Sequence, residues 1–357
     1  MSAPTTAAGT QGILSADEVI ISADSHTMEP HDLWEKRLPA SLRDQAPRYP
    51  PHKVGEGFQA RPGGTDPSKR LEEMAQDGLS AEVLYPTLGL SQFGMDDARL
   101  QEACFRVYND WLIEYCQVAP DRLIGLPNIA CYDIDWAVKE LERCVNAGLR
   151  GLTIWQHPHP DLPFYSDHYN KLWDAAQALD QPISLHILTG HNYSKTLDKW
   201  TGVSRYHKSV NMKLQSVTDV VFDLIFYGVC DRYPRLKFIL VEFEIGWMPY
   251  YFQQWGYYWR RFRPVDPPPN QRDPREYLGT QFFATFFNDP VGAHYLQIDP
   301  NPYMWSNDYP HPNSTWPHSR QVIERDLGRL TPEARRKVIC ENVARLYGIK
   351  IPEPLRL

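Results

Sequence analysis

Short apolar runs recur along the chain at Val19–Ala23, Ala81–Tyr85, Leu123–Ile129, Gly151–Trp155, Ile183–His186, Lys237–Glu242, Phe282–Phe286 and Tyr303–Ser306. Each has the length of a strand, and amphipathic stretches separate most of them. Leu100–Val118 places Cys104, Val107, Tyr108, Trp111, Leu112 and Tyr115 on one helical face. Asp133–Ala147 repeats that spacing and stops at Gly148, a residue suited to a helix C-terminus. Ser166–Leu179 and Val217–Arg232 read likewise. Thr331–Tyr347 begins with Thr331 as N-cap, Pro332 in the first helical position and Glu333 in the first turn, and it stops at Gly348. Strands alternating with helices in this way predict a (β/α)8 barrel. A doubly wound sheet is the rival, but the chain has no G-x-G-x-x-G or Walker sequence for its phosphate loop.

The same pattern divides the chain. Residues 1–18 read as a disordered N-terminal arm and 19–350 as the barrel. Insertions fall near 36–64, 187–213 and 250–281, as long loops at the C-terminal ends of strands. The chain has 357 residues, of which 42% are hydrophobic and 23% charged, enough for a large core. Its net charge of −7 gives no reason to expect nucleic acid as a partner. No apolar run approaches the ~18–20 residues needed to span a membrane, and the first residues lack the basic and apolar regions of a secretory signal. None of the six cysteines forms a C-x-x-C pair, which fits free thiols in a reducing cytoplasm.

Chemistry in such a barrel sits where the strands end. Strand one ends in Asp24 and His26, strand five in His186, strand six in Glu242 and strand eight in Asp308, with His311 three residues on. Residues two apart on a strand face the same way, so Asp24 and His26 can both point into the barrel mouth. Taken singly, His26 also reads as a satisfied core histidine, Glu242 and Glu244 as a strand exit, and Asp308 as an Asx turn. Together they form a set whose carboxylates would repel one another unless a divalent cation held them. Imidazole with carboxylate suits zinc, iron or manganese. His157 and His159 follow strand four and are placed on the rim.

Five stretches, DSHTMEPHDLWEKRLP, RLEEMAQDGLSAEVLYPT, VEFEIGWMPYYFQ, SNDYPHPNSTWP and ICENVARLYG, resemble the amidohydrolase-related family. The branch concerned contains aminocarboxymuconate-semialdehyde decarboxylase and the resorcylate-type decarboxylases. The resemblance runs from about Val19 to Gly348. It implies a distorted (β/α)8 TIM barrel and a metal held by Asp24, His26, His186 and Asp308. Some members carry His-x-His where this chain has Asp-Ser-His. A second departure bears on the reaction: the decarboxylases' acid–base histidine, six residues before a proline after strand six, falls on Phe243 here, between Glu242 and Glu244.

The first expectation is therefore a metal-dependent enzyme that hydrolyses or non-oxidatively decarboxylates a small aromatic or alicyclic organic acid. Asp308, Glu242 and His191 are its candidate catalytic groups. Trp247, Arg260 and His157 are candidates for holding the substrate. A second reading adds Glu242, His311 or Glu29 to the ligand set and makes the site a dinuclear non-haem iron or iron–manganese monooxygenase. A third is a non-enzymatic binding protein on the same barrel. The Tyr, Trp and Arg residues of 247–264 also suit a homodimer surface.

Overall fold

The eight apolar runs become eight parallel strands. These are β1 (Ile21–His26), β2 (Ala81–Tyr85), β3 (Leu123–Gly125), β4 (Leu152–Ile154), β5 (Ile183–His186), β6 (Phe238–Val241), β7 (Phe282–Phe286) and β8 (Tyr303–Trp305). All their residues are buried, as expected of a parallel sheet covered by helices. The computed structural model describes residues 14, 15, 17–50, 61–192 and 205–354, and for 205–213 the backbone course alone. Most of the expected N-terminal arm, and the middle of two expected insertions at 51–60 and 193–204, lie outside the described residues.

Pairing runs β1-β2-β3 and β4-β5-β6-β7-β8. Two seams join these sheets. Asn128 bridges Thr153 between β3 and β4. Between β8 and β1, Asp308 N donates to Asp24 O at 3.0 Å and His26 N to Tyr309 O at 2.5 Å. The result is a distorted (β/α)8 barrel. Regular pairing in β3 stops short of the predicted Ile129, because Pro127 has no N–H to give the ladder.

The helices form where capping and apolar spacing agree. Asp133 caps Ile134–Asn146 by accepting from Asp135 N and Trp136 N. Thr331 caps the last helical run by accepting from Ala334 N, and Gly348 ends it in the left-handed conformation. Among the described residues, three helices of nine or more residues were not among those predicted: Pro67–Asp77, Met248–Phe262 and Ser319–Leu327. The second occupies the start of the expected 250–281 insertion. Its Pro249 sits in the first turn, where no intrahelical N–H is needed.

Candidate metal centre

Four non-glycine residues at or just beyond strand ends adopt positive φ: Leu188 (72°), Glu242 (68°), Glu244 (56°) and Asp308 (52°). Such residues are uncommon and cost free energy, so surrounding contacts must hold them. At Glu242 the backbone N donates to Thr285 Oγ1 at 3.0 Å. At Asp308 the N–H is taken up by Asp24 O. These turns abruptly re-aim the side chains that leave β6 and β8.

The re-aimed side chains meet those of β1 and β5. His26 Nε2 lies 3.5 Å from Asp24 Oδ1 and 3.5 Å from Asp308 Oδ1. His186 Nε2 lies 3.6 Å from Asp24 Oδ1 and 3.9 Å from Glu242 Oε2. His311 Nδ1 is 2.8 Å from Asp308 Oδ1, and its ring stacks on His26 with centroids 3.8 Å apart. Two overlapping groups thus have metal-binding geometry: Asp24, His26 and His186, and His26, Asp308 and His311. All six sequence candidates for metal ligands come together here.

The imidazoles are held in one tautomer. His26 Nδ1 is 2.6 Å from Pro86 O, and His186 Nδ1 is 2.6 Å from Ile187 O. A carbonyl can only accept, so each Nδ1 carries the proton and each Nε2 offers a lone pair to the centre. Burial, helped by His311 and His186, pushes His26 well below its ordinary basicity. Burial pushes His311 down to about 4. His186 goes the other way: burial lowers it, but the nearby carboxylates of Asp24, 3.6 Å away, and Glu242 outweigh that and raise it.

The residues fit a cation. Asp24 Oδ1 and Oδ2, His26 Nε2 and His186 Nε2 are buried and have no hydrogen-bond partner. Buried polar atoms are almost always satisfied, so lone pairs converging without donors mark a place for a positive charge. The nitrogen and oxygen donor set suits manganese, iron or zinc.

The remaining candidates are more scattered. His191 stands on the rim, its Nε2 3.0 Å from Asp96 Oδ1, in an aromatic group with Tyr132, Trp155 and His159. The His157 carbonyl accepts from His191 N at 2.9 Å. Trp247 Nε1 is within 3.1 Å of Phe243 O and 3.2 Å of Glu244 O, bracing the turn after β6. Arg260 lies some twelve residues, about 18 Å, along the helix from Met248 and pairs with Asp273, so the structure carries it away from the cluster. Glu29 accepts from the backbone N–H groups of Thr87, Leu88 and Gly89 at 2.9–3.1 Å. That is the task of a cap on the turn Leu88–Gly94, in place of the ligand to a second ion considered from sequence.

A network that the sequence reading missed backs the cluster. Arg70, fully buried, donates from Nε to Glu82 Oε2 at 2.5 Å and from Nη1 to His26 O at 2.7 Å. Asn307 Nδ2 reaches Glu82 Oε1 at 3.3 Å. The available signal was Glu82 itself, one acid inside the otherwise apolar β2.

A family model described as amidohydrolase matches residues 23–349. The chain is 25% identical over 305 residues to gamma-resorcylate decarboxylase of Polaromonas sp. strain JS666, spanning 79% of this chain and 87% of the relative. Among solved structures, an amidohydrolase from Mycobacterium avium subsp. paratuberculosis K-10 superposes with a TM-score of 0.76 at 17% identity, covering 93% of this chain and all of that one. A dihydroxybenzoic acid decarboxylase from Polaromonas sp. JS666, with bound manganese and the inhibitor 2-nitroresorcinol, gives 0.68 at 19%, covering 95% of this chain and all of that one. At these identities the superpositions establish the shared barrel.

Proposed function

The chain belongs to the amidohydrolase family, and from that premise we propose that it is a metal-dependent carboxy-lyase acting on a small aromatic acid. The observation that carries this reading is the convergence of the unpartnered, buried Asp24, His26 and His186 atoms on one point beside Asp308. Support for the substrate class comes from the decarboxylase relatives and from the aromatic rim of Tyr132, Trp155 and His191. Manganese is the first choice of metal, on the strength of the decarboxylase structure that holds it.

Asp24, His26, His186 and Asp308 would hold the ion. When bound, a divalent cation supplies Lewis acidity at a substrate oxygen. The chain must supply the rest. Non-oxidative decarboxylation breaks the bond between ring and carboxylate, and a proton replaces carbon dioxide on the ring carbon. The family's usual histidine for that proton is Phe243 here, so the duty passes elsewhere. We assign it to Asp308 and His311, which lie at hydrogen-bond distance. His311 Nε2 is 3.1 Å from Thr87 Oγ1. A neutral imidazole between hydroxyl and carboxylate can take a proton at one nitrogen and release one at the other.

The exposed Tyr250, Tyr257, Tyr258 and Phe262 of the helix Met248–Phe262 support self-association. Six buried, free cysteines support a reducing compartment. Among the described residues no helix is long and apolar enough to cross a membrane.

The test is incubation of manganese-loaded protein with hydroxybenzoic acids under argon. The expected result is one carbon dioxide released per acid consumed, without oxygen. A dinuclear oxygenase is the second reading, favoured by the two overlapping ligand groups and by Glu242 near His186. It requires two ions per chain and oxygen uptake matching product, a result that would displace the carboxy-lyase.

A further inference from the structure

We propose that Asn307 is a positioning residue for the metal centre, joining the strand ends that carry Asp24, His26 and Asp308 into one rigid unit. The inference rests on the reading of these residues as metal ligands. Asn307 is fully buried and immediately precedes Asp308, yet it belongs to neither ligand group. Its carboxamide is used on both sides. Oδ1 lies 3.0 Å from Ser22 Oγ, 2.8 Å from Ser25 Oγ and 3.2 Å from Tyr309 N. Nδ2 lies 3.3 Å from Glu82 Oε1 and 3.5 Å from Asp77 Oδ2. Its own N–H donates to Ser22 Oγ at 3.0 Å.

This geometry acts on the ligands in two ways. First, it spans the seam between β8 and β1. Ser22 and Ser25 lie on either side of Asp24 and Ser25 adjoins His26, so β1 and β8 cannot move apart without breaking several buried hydrogen bonds. Second, it fixes the left-handed backbone of Asp308. The contact from Tyr309 N to Asn307 Oδ1 closes an Asx turn around Asp308. The other end of that turn is tied to β1 by His26 N to Tyr309 O. Glu82 extends the unit to Arg70, which holds His26 O and lies over the Tyr309 ring at 4.2 Å. Aspartate would satisfy the serines but set a third carboxylate against Glu82 and Asp77. Alanine would remove every carboxamide contact and leave the seam to its backbone N–H bonds.

The experiment is titration of the metal-stripped full chain with Co(II) alone, followed by its visible d–d spectrum. Three proteins are compared: wild type, Asn307→Ala and Leu141→Ala. Leu141 is buried in the helix Ile134–Asn146, in the core and outside the ligand groups, so its truncation lowers stability without touching the network. The expected result is cobalt affinity weakened about tenfold or more in Asn307→Ala, as is usual when groups orienting metal ligands are lost, with an altered d–d band. Leu141→Ala should keep the wild-type affinity and band despite a lower melting temperature. Equal affinity and an identical band in Asn307→Ala overturn the inference, as does equal weakening in Leu141→Ala. Wild-type protein that takes up no cobalt overturns the metal reading itself, and this inference with it. If Asn307→Ala does not fold, Ser22→Ala combined with Ser25→Ala removes two of the same contacts. That variant should weaken cobalt binding and shift the band, and an unchanged titration refutes the proposal.

Discussion

Asp24 is the residue whose placement makes least sense without a cation. Both its oxygens are buried and unpartnered, and two imidazole nitrogens face Oδ1 at 3.5–3.6 Å. Asp24→Asn keeps the shape and removes the charge. The expected outcome is loss of most bound metal and a fall in turnover of a hundredfold or more, checked by metal content and initial rates. His311 gives a pH prediction. Its folded pKa of about 4 lies below the ordinary 6.5, so the unfolded chain binds the proton more readily. The stability this group contributes is full above pH 6.5 and is lost as pH falls towards 4. By pH 5 the metal-free protein should lose about 2 kcal/mol through this group, and His311→Gln should flatten the dependence. Urea midpoints at pH 7 and 5 measure both. The convergence of the candidate ligands was legible in the sequence because period-two alternation puts Asp24 and His26 on one face and because strands end where the apolar runs end. Asn307 and Arg70 were not: their significance depends on a seam between strands some 280 residues apart, which no local pattern encodes.

At the scale of elements, all eight strands were legible, since buried parallel strands leave continuous apolar runs. The helix Met248–Phe262 was hidden by its own aromatics. Met248, Phe252, Gly256 and Trp259 make a buried stripe at helical spacing, but exposed Tyr250, Tyr257, Tyr258 and Phe262 blur it. The helix Pro67–Asp77 was hidden by the polar residues on its buried face. Asp66, Pro67 and Gly78 cap it well, yet its buried face includes Arg70 and Asp77, which belong to the buried polar network behind the candidate metal site. Two predictions belong here. A Cβ on Gly125 of β3 would sit 2.8 Å from Cys116 Sγ and from Leu112 Cγ of the helix Ala98–Cys116. Gly125→Ala should therefore cost about 1–3 kcal/mol by overpacking, read by chemical denaturation. In the helix Arg205–Phe226, burial and the like charge of Asp219 four residues away raise Asp223 to about 6. Its ionised form opposes folding above that pH, and the penalty disappears below about 4. Asp223→Asn should gain on the order of 1 kcal/mol at pH 7, reduced by partial exposure, and nothing at pH 4.

For the whole molecule, the candidate metal site lies across one of the two seams that close the barrel. β8 and β1 meet through Asp308, Tyr309, Asp24 and His26, so three of the residues that close the barrel are also among those proposed to hold the ion. On that reading metal binding and global stability are linked: an ion that binds only the folded chain stabilises it, and the melting temperature rises, with the logarithm of its excess over Kd. Chelation should lower the melting temperature, and manganese should restore it. The most direct test of the central claim is elemental analysis by mass spectrometry of full-length protein purified without added metal. One divalent ion per chain, removed by a chelator and regained with manganese, is the predicted result. Protein that carries no ion and takes none up would contradict the account.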